Sequence, residues 1–151
     1  MTRKRFALLL SVRPCYLEKI LNGSKSVELR RVIPQLSKGD TVAFYASRPV
    51  GAVVGTARVR CVVSGSPSRL WRELGGWTGV SRREFRNYFA GSPCAHGIQL
   101  ADATATEKPI TLDQLRQEVP GFRPPQNYMY VGDSPQGTRR ALGRLLSFRL
   151  E

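Results

Sequence analysis

Hydrophobic positions along the chain follow two periods, that of strands and that of helices. Residues 6–12 form a short apolar run bounded by charged residues and a proline, which predicts a buried strand. Residues 14–21 place Leu17, Ile20 and Leu21 on one helical face, and the first helical turn tolerates the proline. Short strand and helix patterns continue to the end of the chain, so we predict a mixed α+β fold.

Residues 25–31 alternate polar and apolar side chains, the two-residue period of a strand with one exposed face. The apolar members would face the core, and Lys25, Ser26, Glu28 and Arg30 would project to the other side. A lysine, a carboxylate and an arginine grouped in this way can bind a phosphate or a base edge, or exchange protons. The same group can equally be a local ion pair on a solvated strand face, which contributes little. The periodicity alone leaves both interpretations open.

Two strands are predicted at 41–46 and 50–63, and Gly51 and Gly55 in the second indicate bends or bulges, as in small barrels. Residues 108–110 are predicted to be a connection. Further strands are predicted at 94–100 and 127–131. Helices are predicted after Ser66-Pro67, after Thr111, and after Ser81, with Glu84 as the capping-box partner of Ser81. The segment at 134–150 is predicted to be a helix, or a helix followed by a strand. The resulting architecture is a small barrel of short strands with helices inserted between them.

The aromatic residues of the middle segment occur at helical spacing. Such spacing is more typical of the core-facing surface of a helix than of a row of base-stacking platforms. We therefore predict that these aromatic side chains belong to the core; they are Trp71, Trp77, Phe85, Tyr88 and Phe89.

The charge of the chain is strongly positive. Of 151 residues, 24 are Lys or Arg and 11 are Asp or Glu, a formal net charge of +13, and 19 of the basic residues are arginine. Such a surface attracts polyanions and releases their counterions, and arginine suits bidentate contact with phosphate and stacking on bases. Nucleic acid is therefore the favoured partner.

Other residue types narrow the function further. Cys15, Cys61 and Cys94 are too far apart for metal-ligand spacing and odd in number, so we predict reduced and mostly buried thiols. With His96 as the only histidine, the sequence implies no metal site and no cofactor. The apolar run near the N-terminus is too short for a signal peptide, and no run reaches the roughly 20 residues of a membrane span. We expect a cytoplasmic protein with no membrane partner, and favour a monomer.

The run at 8–16 and the segment at 20–30 together resemble the start of ASCH-domain proteins. The hallmark of that family, G-x-K-x-x-E-x-R after a helix, is formed here by Gly23, Lys25, Glu28 and Arg30. The similarity extends to residue 131 and is strongest with a prokaryotic and phage branch known as predicted transcriptional regulators. It implies a PUA-like β pseudo-barrel with short helices inserted between its strands. We expect this domain at 1–133, with 134–151 as a basic C-terminal extension packed on it or flanking it.

The resemblance also implies a cleft beside the motif and binding of RNA or another nucleic acid, with a regulatory role. A cleft suits a single-stranded or flipped nucleotide better than a continuous duplex groove, so we favour RNA over DNA. Tyr45 and Tyr128 would flank the cleft as stacking platforms. The rigid backbone before Gln126 would hold its amide toward a base edge, or Gln126 is equally a loop residue that caps a barrel end. The predicted nucleic-acid-binding residues are Lys25, Ser26, Glu28, Arg30, Tyr45, Arg48, Gln126, Tyr128, Arg139 and Arg140.

An enzyme is the alternative, using Lys25 and Glu28 for acid–base chemistry on RNA or a nucleoside. Some small members of the wider family resemble amidohydrolases acting on acetylated cytidine, in which a lysine, a threonine on the same strand and a distant glutamate act together. Lys25 matches that lysine, but Glu28 stands where the threonine would be, and the distant glutamate has no assigned counterpart. A nuclease is the other enzymatic form, and a charge that serves only protein partners is a third interpretation. Binding without catalysis is the leading one.

Overall fold

The computed structural model describes residues 6–131 and 137–150 of the chain. Short helices interrupt the strands in the described part, as the alternating periods predict. In chain order the elements are β1 (Phe6–Val12), α1 (Pro14–Leu21), β2 (Val27–Arg30), β3 (Thr41–Ala46), β4 (Ala52–Gly65), α2 (Pro67–Leu74), a 3₁₀ turn (Gly75–Trp77), α3 (Arg82–Tyr88), β5 (Ala95–Thr111), α4 (Leu112–Glu118), β6 (Tyr128–Tyr130) and α5 (Gly137–Arg149). The α+β class is confirmed.

The strands form one six-stranded sheet in the order β2-β5-β4-β3-β1-β6. Only β1 and β3 pair in parallel, and the other neighbours are antiparallel. The sheet curls into a half-barrel, which confirms the pseudo-barrel expectation. The curl brings β2, at one edge of the sheet, close to β1, which lies next to the other edge. A hydrogen bond of 2.9 Å from the Arg30 guanidinium to the Ser11 carbonyl joins the two strands.

The core lies on both faces of the sheet. Leu8 and Leu10 of β1 pack inside the curl, in a cluster that includes residues of α1. Leu9, on the opposite face of β1, belongs to a second cluster with the fully buried Leu142 and Leu146 of α5. Burying large apolar side chains on both faces explains why this strand reads as a continuous apolar run. The proposed domain boundary near 133 stays a prediction.

The predicted helix starts at Ser66, Ser81 and Thr111 are confirmed, whereas the predicted start at 134 lies outside the described residues. The Ser81 hydroxyl accepts the Glu84 N–H, and the Glu84 carboxylate accepts the Ser81 N–H, which completes a capping box. Thr111 and Gln114 form the same box at the start of α4. Each box satisfies two backbone donors that a helix start would otherwise leave without partners.

The predicted connection at 108–110 is wrong, because β5 continues through it to Thr111. The tail of β5 still pairs with β4, where Ile110 lies opposite Val53, whereas β2 pairs only with residues 96–99 of β5. At Pro109 the strand therefore pairs with β4 on one side and does not pair with β2 on the other. Such an edge position tolerates proline, which has no N–H to donate. The predicted irregularity at Gly55 is confirmed by a shift of register between Val53 and Gly55.

The expectation of mostly buried thiols is also wrong. Cys15 and Cys61 are exposed and Cys94 is half-buried, and all three are free. Cys15 lies in the first turn of α1, off the buried face formed by Leu17 and Ile20. No group of three or more His, Cys, Asp or Glu within 6–131 and 137–150 could hold a metal ion. Among the helices described, none is long and apolar enough to cross a membrane.

Candidate functional site

A cleft of about 310 Å³ opens at the seam where the curl brings β2 toward β1. The residues at the end of β1, α1, β2, α3 and the loop before β6 all contribute to its walls. Its floor holds the three charged residues of the sequence motif, Lys25, Glu28 and Arg30. Elements that are distant in the chain therefore meet at the motif. Periodicity alone did not distinguish whether the motif forms a binding site or a solvated ion pair.

The three charged side chains form a chain of ion pairs with the carboxylate in the middle. Glu28 Oε1 lies 3.7 Å from Lys25 Nζ, and Glu28 Oε2 lies 3.4 Å from Arg30 Nη2. Glu28 Oε1 also accepts the Leu29 N–H at 3.0 Å. A single carboxylate thus balances two cations, and the group has an excess of one positive charge.

The prediction of a half-exposed strand at 25–31 is wrong. All four residues of β2 are buried, and Lys25, Glu28 and Arg30 are 2%, 6% and 9% exposed. Val27 and Leu29 pack into a cluster with α2 and α3, while α1 and the end of β1 cover the polar face. The simple interpretation as a solvated ion pair is therefore excluded, because burial of such charges is costly unless they are paired and hydrogen-bonded.

The turn between α2 and α3 fixes Lys25. Its ammonium donates a 2.7 Å hydrogen bond to the Thr78 carbonyl, and the Ser26 N–H donates one of 3.0 Å to the Trp77 carbonyl. Gly79 follows with φ +68°, and a Cβ at this position would lie 2.9 Å from the Lys25 Cβ. A glycine is required here both by the left-handed backbone and by this close approach.

Electrostatics distinguish Lys25 from an ordinary lysine. Burial lowers the pKa of Lys25 below its usual value, and the neighbouring Glu28 carboxylate partly restores it. The ammonium also lies 5.5 Å from the centre of the Tyr16 ring, within the range of a cation–π contact. The Tyr16 hydroxyl donates to Glu84 at 3.4 Å, and burial raises the pKa of Tyr16.

Arg30 has one donor without an acceptor. Its Nη2 reaches the Ser11 carbonyl and Glu28, but its buried Nε–H has no hydrogen-bond partner among the described residues. Leaving such a donor unsatisfied costs about 1–3 kcal/mol. Arg30 therefore lines the cleft and keeps one buried, cationic donor without a partner in the described protein.

The other predicted site residues divide between the cleft and the rest of the molecule. Gln126 is exposed and lines the cleft, in the position expected for a residue that contacts a ligand. Ser26 does not line this cleft but lines a separate depression together with Asp102. Arg48 is exposed but does not line the cleft.

The expectation that Tyr45 and Tyr128 flank the cleft is wrong. Tyr45 is buried in the cluster on the outer face of the sheet, and burial raises its pKa. Tyr128 packs against the inner cluster and lies 5.6 Å from the Tyr130 ring in an edge-to-face contact. Arg139 and Arg140 belong to α5 by their backbone, but their side chains lie outside the described residues.

Sequence reasoning missed several residues of the cleft. Arg13, Tyr16, Glu84, Tyr88 and Asn127 all line it. Tyr88 was assigned to the core, which is wrong because it is 42% exposed. The sequence did carry one signal for Glu84, its spacing as the capping-box partner of Ser81. The Glu84 carboxylate accepts the Ser81 N–H at the start of α3, and Glu84 also lines the cleft.

Comparison with known proteins places this arrangement in a family. Residues 6–120 match the model of a domain of unknown function, DUF365. An ASCH domain-containing ribonuclease of Zymomonas mobilis is 34% identical over 122 residues, which cover 81% of this chain and 82% of the relative. The chain belongs to the ASCH-domain family. The motif formed by Gly23, Lys25, Glu28 and Arg30 is thus part of an ASCH domain.

Solved structures agree with this assignment. The crystal structure of the ASCH protein from Zymomonas mobilis matches this ASCH domain with a TM-score of 0.82 at 31% identity, and 93% of each chain is covered. A protein from Pseudomonas putida matches with a TM-score of 0.56 at 17% identity, over 93% of this chain and 98% of the other. The second likeness shows the fold alone.

Proposed function

We propose that this ASCH-domain protein binds single-stranded RNA and holds one nucleotide in the cleft at the β1–β2 seam. The observation that carries the proposal is the unpartnered, buried Nε–H of Arg30, a residue that lines a cleft whose motif residues already carry one positive charge in excess. A phosphate, ribose or base oxygen would satisfy that donor. The net charge of +13 and the similarity to a relative named a ribonuclease both favour RNA as the source of such an oxygen.

The walls of the cleft suit a nucleotide. Its volume of about 310 Å³ is at the lower end of the range for small-ligand sites, roughly 300–1,000 Å³, which fits one nucleotide rather than a duplex. Tyr88 offers a partly exposed ring for stacking, Gln126 offers an amide for a base edge, and Arg13 offers an exposed guanidinium for phosphate. Arg48, Arg139 and Arg140 would contact the RNA backbone outside the cleft.

The test is a fluorescence-anisotropy panel of labelled single-stranded RNA, duplex RNA and single-stranded DNA of one sequence. Single-stranded RNA should bind most tightly. If about five phosphates are contacted, log affinity should decline with log salt at a slope of about −3.5, since each phosphate of a single strand contributes about 0.7. A flat response to salt, or equal binding of all three probes, would contradict the proposal.

Arg13 supplies the site-specific arm of this test, because it is exposed and lines the cleft. Arg13→Ala should leave the melting temperature unchanged and weaken RNA binding about tenfold, through loss of a charged hydrogen bond. Arg60→Ala is the matched control, since Arg60 is also exposed and does not line the cleft. Equal effects of the two variants would mean that binding is diffuse and that the cleft is not the site.

Ribonuclease activity is the second candidate, favoured by the name of the Zymomonas mobilis relative and by the lowered pKa of Lys25. In this scheme Glu28 takes the proton of a ribose 2′-hydroxyl, whose oxygen attacks the adjacent phosphorus. Lys25 donates a proton to the departing 5′-oxygen, so the products carry a 2′,3′-cyclic phosphate and a 5′-hydroxyl. Hydrolysis of acetylated cytidine and a regulatory role stay predictions.

Product analysis separates binding from cleavage. End-labelled RNA incubated with the protein should yield fragments with cyclic phosphate ends, and Lys25→Met should abolish cleavage even at RNA concentrations that saturate the variant. If RNA is recovered intact from the parent protein, binding alone stands.

A further inference from the structure

Trp77 is exposed although its backbone is held firmly. Its side chain is 62% exposed, against the sequence expectation of a core residue. Its carbonyl accepts the Ser26 N–H at 3.0 Å, and the next carbonyl, that of Thr78, accepts the Lys25 ammonium at 2.7 Å. The turn is therefore tied to the same strand that forms the floor of the cleft, and it presents a large apolar ring to solvent.

The position of Trp77 is next to the cleft. Thr78 contacts Lys25 directly, and Val80 lines the cleft wall. The Trp77 carbonyl accepts the N–H of Ser26, the residue that follows the cleft residue Lys25, so the turn adjoins the segment that carries Lys25.

Two lysines bind the turn that carries Trp77. The Lys25 ammonium donates to the Thr78 carbonyl, and the Lys19 ammonium donates a hydrogen bond of 2.7 Å to the Gly79 carbonyl. An exposed tryptophan in a protein–protein interface is usually part of a wider apolar patch. An exposed ring on a turn bonded by two lysine ammonium groups instead matches the combination that binds single strands, a stacking platform within a positive surface.

We propose that Trp77 is a stacking platform for the nucleobase next to the one held in the cleft. The proposal rests on the proposed RNA-binding function and adds a second base contact to it. The ring would contribute affinity without base specificity, since every base has a π-face.

Fluorescence tests the contact directly, because the chain has only two tryptophans, Trp71 and Trp77. In Trp71→Phe, Trp77 is the single indole, and a saturating single-stranded RNA oligonucleotide should quench its emission. In Trp77→Phe, only the half-buried Trp71 remains, and the same RNA should quench its emission much less. If Trp71→Phe fails to fold, the difference in quenching between the parent and Trp77→Phe gives the same answer.

A pair of substitutions separates stacking from apolar contact. Trp77→Phe retains a ring and should bind RNA within about threefold of the parent, whereas Trp77→Leu should bind at least about fivefold more weakly. Both variants should melt like the parent, since Trp77 contributes little side-chain burial.

The outcomes distinguish this inference from the function on which it rests. A parent that binds no RNA overturns both. A parent that binds RNA while Trp77→Leu binds equally well, or while Trp77 is not quenched, overturns the stacking role alone. A Trp77 emission that changes with protein concentration in the absence of RNA would identify a self-association surface instead, and would also overturn it.

Discussion

Two cationic regions of this ASCH domain differ in how they hold their charges. At the floor of the cleft, Lys25 and Arg30 are buried around the single carboxylate of Glu28. On the neighbouring α2–α3 segment, Arg82 and Arg86 are exposed and have no acidic partner among the described residues. The buried cations of the cleft floor therefore depend on Glu28 for their stabilisation, whereas the exposed guanidinium groups of α3 are stabilised by water.

The difference predicts which functions can be separated by mutation. Removing a buried member of a charge group leaves its partners uncompensated, so stability and binding change together. Removing an exposed guanidinium removes a contact with a ligand and little else. Variants of the cleft floor therefore report on folding first, and variants of α3 report on RNA directly.

The largest effect is expected for Glu28→Ala. Two buried cations would lose their only carboxylate within the group, so the free energy of unfolding should decrease by about 3–5 kcal/mol. Urea denaturation measures this change. Glu73→Ala is the control, because the exposed pair between Glu73 and Arg69 at 3.0 Å should contribute no more than about 0.5 kcal/mol. Similar losses for the two variants would mean that burial does not distinguish the regions.

This prediction differs from what the alternating sequence implies, and the reason is physical. The identities of Lys25, Glu28 and Arg30 can be recognised from the motif, but alternation identifies only that one face of a strand is apolar. It does not reveal that the polar face is covered as well. That cover comes from Tyr16 in α1 and from Ser11 across the seam, contacts made by distant parts of the chain.

Local signals were reliable at the starts of the helices. The capping boxes at Ser81 and Thr111 involve residues three positions apart, and both are present. Aromatic spacing was less informative, because Phe85 is buried while Trp77 and Tyr88 are exposed. Whether an aromatic ring in a short helix or turn faces a core depends on the tertiary neighbours of that element, which the spacing does not contain.

A smaller effect is expected on the exposed side of the comparison. Arg82→Ala combined with Arg86→Ala should weaken RNA binding about tenfold and reduce the magnitude of the salt slope by about 1.4, since each contact with a single strand contributes about 0.7. Stability should stay within about 0.5 kcal/mol of the parent. Anisotropy at several salt concentrations, together with thermal melting, measures both.

Arg139 and Arg140 of α5 are a second pair of basic residues whose effect can be compared with that of Arg82 and Arg86. Arg139→Ala with Arg140→Ala should weaken binding evenly across RNA sequences, because contacts with the backbone position a strand without reading it. A loss that depends on sequence would assign these two arginines to base recognition. An unchanged affinity would confine the RNA-binding surface to the cleft and α3.

The smallest effect concerns the pH dependence of stability at the cleft floor. Burial disfavours the charged form of Lys25, so the folded protein binds this proton less tightly than the unfolded chain does. The unfolded state therefore holds more protons between the two pKa values, and stability must rise with pH through that window. The contribution is complete above the unfolded value of about 10.4 and is lost as the pH decreases through the lower, folded value. We expect the free energy of unfolding of the parent minus that of Lys25→Met to increase between about pH 7 and about pH 10, as measured by urea denaturation at each pH. The exposed Lys38 provides the reference through Lys38→Met, and the Lys25 difference should rise relative to it. A Lys25 difference that is flat or declines with pH would show that Glu28 fully compensates the burial of the ammonium, and the cleft floor would then behave electrostatically like an exposed ion pair.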